Sequence, residues 1–170
     1  TARRALGKGV PCEARPTDVS RAEEVEALAA LAFGRFGRVH LLKPQTFMNE
    51  SGRSVAAVLR YTYAKPADLI VVHDDLDLPL GAVRVKAGGG HGGHNGLRSI
   101  IEHIGTPDFL RVRVGVGRPD AGRDAADFVL SPFRPDERKA AEDSFVRAAD
   151  AVRMIVTDGL TKAMNTFNKK

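Results

Sequence analysis

The chain has 170 residues, 43% hydrophobic and 28% charged, which is the usage of one folded domain spanning residues 1–170 and excludes a disordered or collagen-like chain. Lysine and arginine number 26 against 21 aspartate and glutamate, for a net charge of +5, a balance that favours an anionic partner such as nucleic acid. No apolar run approaches the ~20 residues of a membrane span, no signal-peptide pattern opens the sequence, and the single cysteine, Cys12, excludes an internal disulfide and suits a reducing compartment, the cytoplasm.

Along the chain, Thr1–Thr17 is basic and broken by Gly7, Gly9, Pro11 and Pro16, and reads as loop or a short helix remnant. Ser20–Phe33 is rich in Ala, Glu and Leu and predicts a helix, with Ser20 as N-cap and Glu23 completing a capping box. Arg38–Leu42 predicts a short strand. Ser51–Tyr61 predicts a helix with Val55, Val58 and Leu59 on one face and Ser51 as its cap. Asp68–His73 is a continuous apolar run ending in polar residues, as a buried strand of an α/β sheet reads. Val83–Val85 is a weaker strand. A glycine loop from Gly88 then feeds a helix that continues to about His103. Leu110–Val116 alternates apolar residues with arginine and predicts a half-exposed strand with Arg111 and Arg113 on one face. After a Gly/Pro/Asp loop, Pro135–Val156 predicts a long amphipathic helix, and a short helix starts near Leu160. Strands and helices alternate, which points to a single three-layer α/β/α domain.

Four local patterns carry candidate chemistry. The first is Lys43–Gly52, between a strand and a helix, where α/β sheets place ligands. There Asn49 offers both a donor and an acceptor, and Met48 offers adaptable apolar contact; capping of the following helix is the alternative role for Asn49. The second is His73-Asp-Asp-Leu-Asp-Leu-Pro79. Three carboxylates directly after a buried strand raise each other's pKa unless cations or donors compensate, and Asp74, the first after the apolar run, is best placed at a cleft.

The third is Gly88–Gly96, six glycines in nine residues. Such a loop lets the backbone approach a ligand, and it leads into a helix N-terminus, carrying His94 and Asn95, that suits an anion or oxyanion. It lacks the Gly-Lys-Ser/Thr of a Walker loop and the leading strand of a dinucleotide fingerprint. The fourth is basic: Lys86 before the loop, with Arg111 and Arg113, can form a phosphate clamp or an exposed charged face. His73, His91, His94 and the nearby aspartates raise a His/carboxylate metal site, but two ligands on a glycine loop are a loose arrangement, and neither metal nor cofactor is expected.

Leu41–Gly52 (LLKPQTFMNESG), His73–Gly81 (HDDLDLPLG) and Gly88–Ile100 (GGGHGGHNGLRSI) stand in the order and spacing of the bacterial peptidyl-tRNA hydrolase family, which the chain resembles over roughly residues 38–168. Arg111–Pro119, Phe128–Phe133 and Asp158–Asn165 continue the likeness. The resemblance implies a twisted mixed sheet and a monomeric cytoplasmic esterase that needs no cofactor. Such an enzyme cleaves the ester joining a peptide to the 3′ ribose of tRNA, recycling tRNA during translation, with no membrane partner. By the same resemblance Asp74 orients and stabilises a catalytic histidine, and Asn49 and Asn95 hold the substrate and the attacking water beside Met48. Phe47, Gly92 and His94 line the substrate site, and Lys86 and Arg113 clamp the tRNA 5′ phosphate.

The family's opening strand, ending in Gly-x-x-Asn-Pro-Gly, and its Thr-Arg-His-Asn run with the general-base histidine have no counterpart here. Asn49 is the first asparagine of the sequence, and His40, the only histidine before it, lies in a predicted strand. Two expectations follow: a truncated or altered form of an active enzyme, or a catalytically impaired relative that binds tRNA or other RNA without cleaving it. The family's opening also supplies a central strand, so a gap in the sheet is expected unless residues 1–37 fill it.

Overall fold

The computed structural model describes residues 29–34, 38–119, 122 and 124–169. The expected loop over Thr1–Thr17 and the expected cap at Ser20–Glu23 lie outside them. The chain is α/β, with a mixed sheet. Its strands are β1 (Ala29–Gly34), β2 (Arg38–Leu42), β3 (Leu69–Asp75), β4 (Val83–Ala87) and β5 (Leu110–Gly115), in the order β2-β1-β3-β5-β4. The helices are α1 (Ser51–Thr62), α2 (Asn95–Ile104), α3 (Ala125–Val129), α4 (Arg138–Asp158) and α5 (Leu160–Phe167).

Two compact units emerge from the backbone: residues up to Val71 with Ala87–Arg111, and Val72–Lys86 with Val112–Lys170. In the first, β1 pairs antiparallel with β2, with Ala30 opposite Leu42 and Gly34 opposite Arg38. This corrects the helix expected through Phe33. An Ala/Leu/Phe run suits either state in isolation, and pairing with the neighbouring strand decides it against alanine's helix propensity. In the strand order β1 lies between β2 and β3, so the segment before Arg38 does supply an inner strand.

Leu69 and Val71 of β3 pack with Val55 and Leu59 of α1, Leu97 and Ile100 of α2, and Phe109, all of them buried. Burial of this apolar surface stabilises the unit at ~25 cal/mol per Å². α1 and α2 meet closely at Gly52. A side-chain carbon there would stand 2.0 Å from the Ser99 carbonyl oxygen, and the Gly52 N–H donates to Ser99 Oγ at 3.0 Å. Ser51 is the first residue of α1 and not its cap, because its hydroxyl donates back to the Met48 carbonyl at 2.9 Å.

In the second unit the Gly115 N–H donates to the Ala82 carbonyl at 2.7 Å, joining the start of β4 to the end of β5. Val83, Val85, Val112 and Val114 are all buried. α4 starts at Arg138, three residues later than Pro135, and the loop expected before it contains the short helix α3. Asp124 caps α3 by accepting from the N–H groups of Ala126 and Asp127.

β4 is an edge strand, and its edge is covered by a side chain. Asn168 accepts from the Val85 N–H and donates to the Val85 carbonyl, both at 2.8 Å, as a neighbouring strand would. Arg84 donates to the carbonyls of Phe167 and Lys169. Asn168→Ala removes both amide bonds and is expected to cost about 1–2 kcal/mol, read as a lower urea midpoint with an unchanged slope. An unchanged midpoint would contradict this role.

Candidate active site

In the first unit, the chain leaving β2 passes through Lys43–Phe47 into a single 3-10 turn, Met48–Glu50, that leads into α1. Phe47 is 81% exposed, Met48 is half-buried and Asn49 is exposed. Phe47 is the cap of the short turn and Glu50 that of α1, so Asn49 does not cap the helix. The turn packs against α2. The contact closes because residue 96 is glycine: a side-chain carbon there would lie 2.6 Å from Met48 Sδ and 3.0 Å from His94 Cε1. Together with the Gly52–Ser99 approach, this contact sets the Phe47–Asn49 turn beside the first turn of α2, which Asn95 opens.

His94 is the N-cap of α2, its Nδ1 accepting from the Leu97 N–H at 3.2 Å, which places the proton of a neutral ring on Nε2. Imidazole here does the work more often given to Ser, Thr, Asp or Asn. Asn95 Oδ1 accepts from Arg98 at 2.8 Å. Arginine can only donate, so this bond fixes the orientation of the Asn95 amide, with its oxygen toward Arg98. Arg98 was not singled out from the sequence, although its spacing of three from Asn95 on a predicted helix carries the signal.

The glycine loop takes positive φ at Gly88, Gly89, Gly92 and Gly93, at values between 55° and 102°. Arg111 lies against it. It is 2% exposed and donates to the carbonyls of Gly89, Gly90 (2.6 Å) and Pro107 (3.4 Å), with its guanidinium 4.6 Å from the centre of the Phe109 ring. This corrects both the half-exposed strand and the clamp role considered for Arg111. A guanidinium spent on backbone carbonyls inside the fold is not a surface charge.

In the second unit, β3 ends with His73, Asp74 and Asp75. Buried His73 donates from Nδ1 to the Asp74 carbonyl at 2.7 Å, which defines its tautomer. The crowding of acids is relieved by cations. Asp75 pairs with Arg113 at 2.6 Å, the two side chains being 13% and 27% exposed, and exposed Asp77 pairs with Arg118 at 2.7 Å. Asp75 Oδ1 also accepts from the Asp77 N–H at 2.9 Å, tightening the turn. Asp74 is half-buried and, adjacent to Asp75 on a strand, stands on the opposite face of the sheet. Arg113 is therefore already ion-paired, whereas Lys86 near the end of β4 is exposed. Among the described residues no group of three or more His, Cys, Asp or Glu is placed to hold a metal ion. No helix among them is long and apolar enough to cross a membrane.

The sequence model of the family described as "Peptidyl-tRNA hydrolase" matches residues 12–170. The chain belongs to the peptidyl-tRNA hydrolase family. It is 51% identical over 133 residues to the peptidyl-tRNA hydrolase of Citrifermentans bemidjiense, covering 78% of this chain and 70% of that protein. With the peptidyl-tRNA hydrolase of Nocardia farcinica it shares 50% identity over 150 residues, 88% of this chain and 77% of the relative. A crystal structure of peptidyl-tRNA hydrolase from Acinetobacter baumannii superposes with a TM-score of 0.70 at 37% identity, covering 77% of this chain and 66% of the other. The chain thus spans just under two thirds of the length of that solved structure.

Proposed function

We propose that this chain hydrolyses the ester between a peptide and the 3′ ribose of tRNA. The observation that carries this proposal is the family match over residues 12–170, which includes all three long motifs. The residue roles follow that membership. Asn49 and Asn95 hold the acyl end and the attacking water, the orientation of the Asn95 amide being set by Arg98. Met48 and Phe47 supply apolar contact to the ester end. Gly92 gives the loop close approach, and His94, by capping α2, keeps Asn95 at the helix tip. Asp74 takes the role of the family's aspartate, which orients the base that accepts the water's proton and stabilises its protonated form.

Lys86 and Arg113 meet the 5′ phosphate at the acceptor end, Arg113 through the donors its fork retains beside Asp75. Such contacts position tRNA without reading its bases. On this proposal residues 1–170 act as one domain, as a cytoplasmic monomer, without metal or cofactor.

A second reading, which relatives about 50% identical do not favour, is tested beside it. The family's Thr-Arg-His-Asn run, with its general-base histidine, is absent from this sequence, and a chain lacking a proton acceptor of near-neutral pKa binds tRNA without cleaving it. Incubation with an N-acetyl-aminoacyl-tRNA at neutral pH separates the two. Released N-acetyl-amino acid, unaffected by chelator, is the expected result; bound tRNA with no release would establish the second reading. Lys86→Ala is expected to lower tRNA affinity and to reduce the slope of log K against log salt by about one. A slope unchanged in binding titrations from low to moderate salt would remove Lys86 from the phosphate contact.

A further inference from the structure

The proposal above gives the glycine loop a place at the ester end without saying what holds six glycines in nine residues in one conformation. A loop of that composition loses more backbone entropy on ordering than any other, so something must compensate. Arg111 is the group in contact. Its guanidinium reaches the carbonyls of two successive loop residues, Gly89 and Gly90, and the carbonyl of Pro107 beyond α2, while its face covers the Phe109 ring. Phe109 is itself 1% exposed, and its carbonyl accepts from the Gly88 N–H at 2.9 Å. The loop is thus fastened at Gly88, Gly89 and Gly90 to one segment, Pro107–Arg111.

Peptide planarity gives this anchoring a chemical consequence. In a trans peptide the C=O and the following N–H point in opposite directions. Turning the carbonyls of Gly89 and Gly90 onto the guanidinium therefore turns the N–H groups of Gly90 and His91 away from it, and both of these residues are exposed. A side-chain carbon at Gly90 would meet nothing within 4 Å, so the approach to this stretch is open.

We propose that Arg111 is a positioning residue. By holding the Gly89 and Gly90 carbonyls, it presents the backbone N–H groups of Gly90 and His91 as a pair of donors for an oxygen of the acyl ester at the tRNA 3′ end. This rests on the hydrolase proposal for the identity of the ligand. The arrangement of the loop rests on the hydrogen bonds alone. Lysine keeps the charge at this position but not the fork that spans two carbonyls.

The test compares the wild-type chain with Arg111→Lys and Arg111→Met. Amide hydrogen exchange over Gly88–Gly93 is measured alongside equilibrium binding of an N-acetyl-aminoacyl-tRNA whose acyl group is held by a hydrolysis-resistant 3′ amide, and of the same tRNA deacylated. Arg111→Lys is expected to fold with a wild-type circular dichroism spectrum and to exchange the loop amides at least tenfold faster. It is also expected to lose about tenfold in affinity for the acylated tRNA and less than twofold for the deacylated one. Wild-type exchange in a folded Arg111→Lys overturns the inference, as does an equal loss for both tRNAs, which would assign the amides to a phosphate or to nothing. Should Arg111→Met fail to fold, the lysine variant decides. A wild-type chain that does not distinguish the two tRNAs would sink the hydrolase proposal, while faster loop exchange in the variant would still establish Arg111 as the anchor.

Discussion

Gly52→Ala is expected to destabilise the chain by about 3 kcal/mol, at the upper end of what overpacking costs. The added carbon would stand 2.0 Å from the Ser99 carbonyl oxygen and 2.5 Å from its carbon, both backbone atoms that no rotamer change can move. His103 Nδ1, 2.7 Å away, can give by rotating, but the Ser99 backbone cannot. Relief requires α1 and α2 to separate, which breaks the buried Gly52 N–H to Ser99 Oγ bond and draws the Phe47–Asn49 turn off the start of α2. The effect is therefore twofold: a fall in the urea midpoint, and a weakened response to acylated tRNA even where the variant remains folded. Gly52→Ala with wild-type stability would show that the helices do not approach as closely as described.

Asp74→Asn is expected to lower turnover of N-acetyl-aminoacyl-tRNA about 100-fold, close to 2.7 kcal/mol of barrier, while changing tRNA affinity by less than roughly threefold. The substitution keeps the shape of the side chain and removes its charge. Asp75 and Asp77 cannot stand in, since each is committed to an arginine. A carboxylate contributes little to holding a polyanion, so the cost of losing this charge is expected in the transition state and not in binding. Single-turnover rates and binding titrations measured on one preparation distinguish this from a binding role. Equal losses in rate and affinity would contradict it.

How much of this was legible in the sequence depends on whether local pattern or tertiary partners decided the outcome. β2 lies at Arg38–Leu42 as expected, and β3 runs from Leu69 to Asp75, because a continuous apolar run between polar residues has few ways to be buried. The glycine loop and α2 were legible for a similar local reason, a breaker run feeding an amphipathic one. β1 was not, since the state of Ala29–Gly34 is set by its pairing with β2 and not by its own composition. The motifs pointed to Asn49, Asp74 and Asn95, but not to what holds them. Arg98 on Asn95, Arg113 on Asp75 and Arg111 under the glycine loop are arginines whose partners become visible only in three dimensions. Alternation along β5 suggested an exposed arginine face, but a guanidinium that satisfies carbonyls can be buried, and periodicity alone does not report this.

Hydrolysis of N-acetyl-aminoacyl-tRNA in water enriched in oxygen-18, with both products analysed by mass, is the most direct measurement. Attack of water on the acyl carbon predicts one heavy oxygen in the carboxylate of the released N-acetyl-amino acid and an unlabelled, full-length tRNA with a free 3′ hydroxyl. No release above the uncatalysed rate, or a tRNA shortened at its 3′ end, would contradict the assignment of this chain as a peptidyl-tRNA hydrolase.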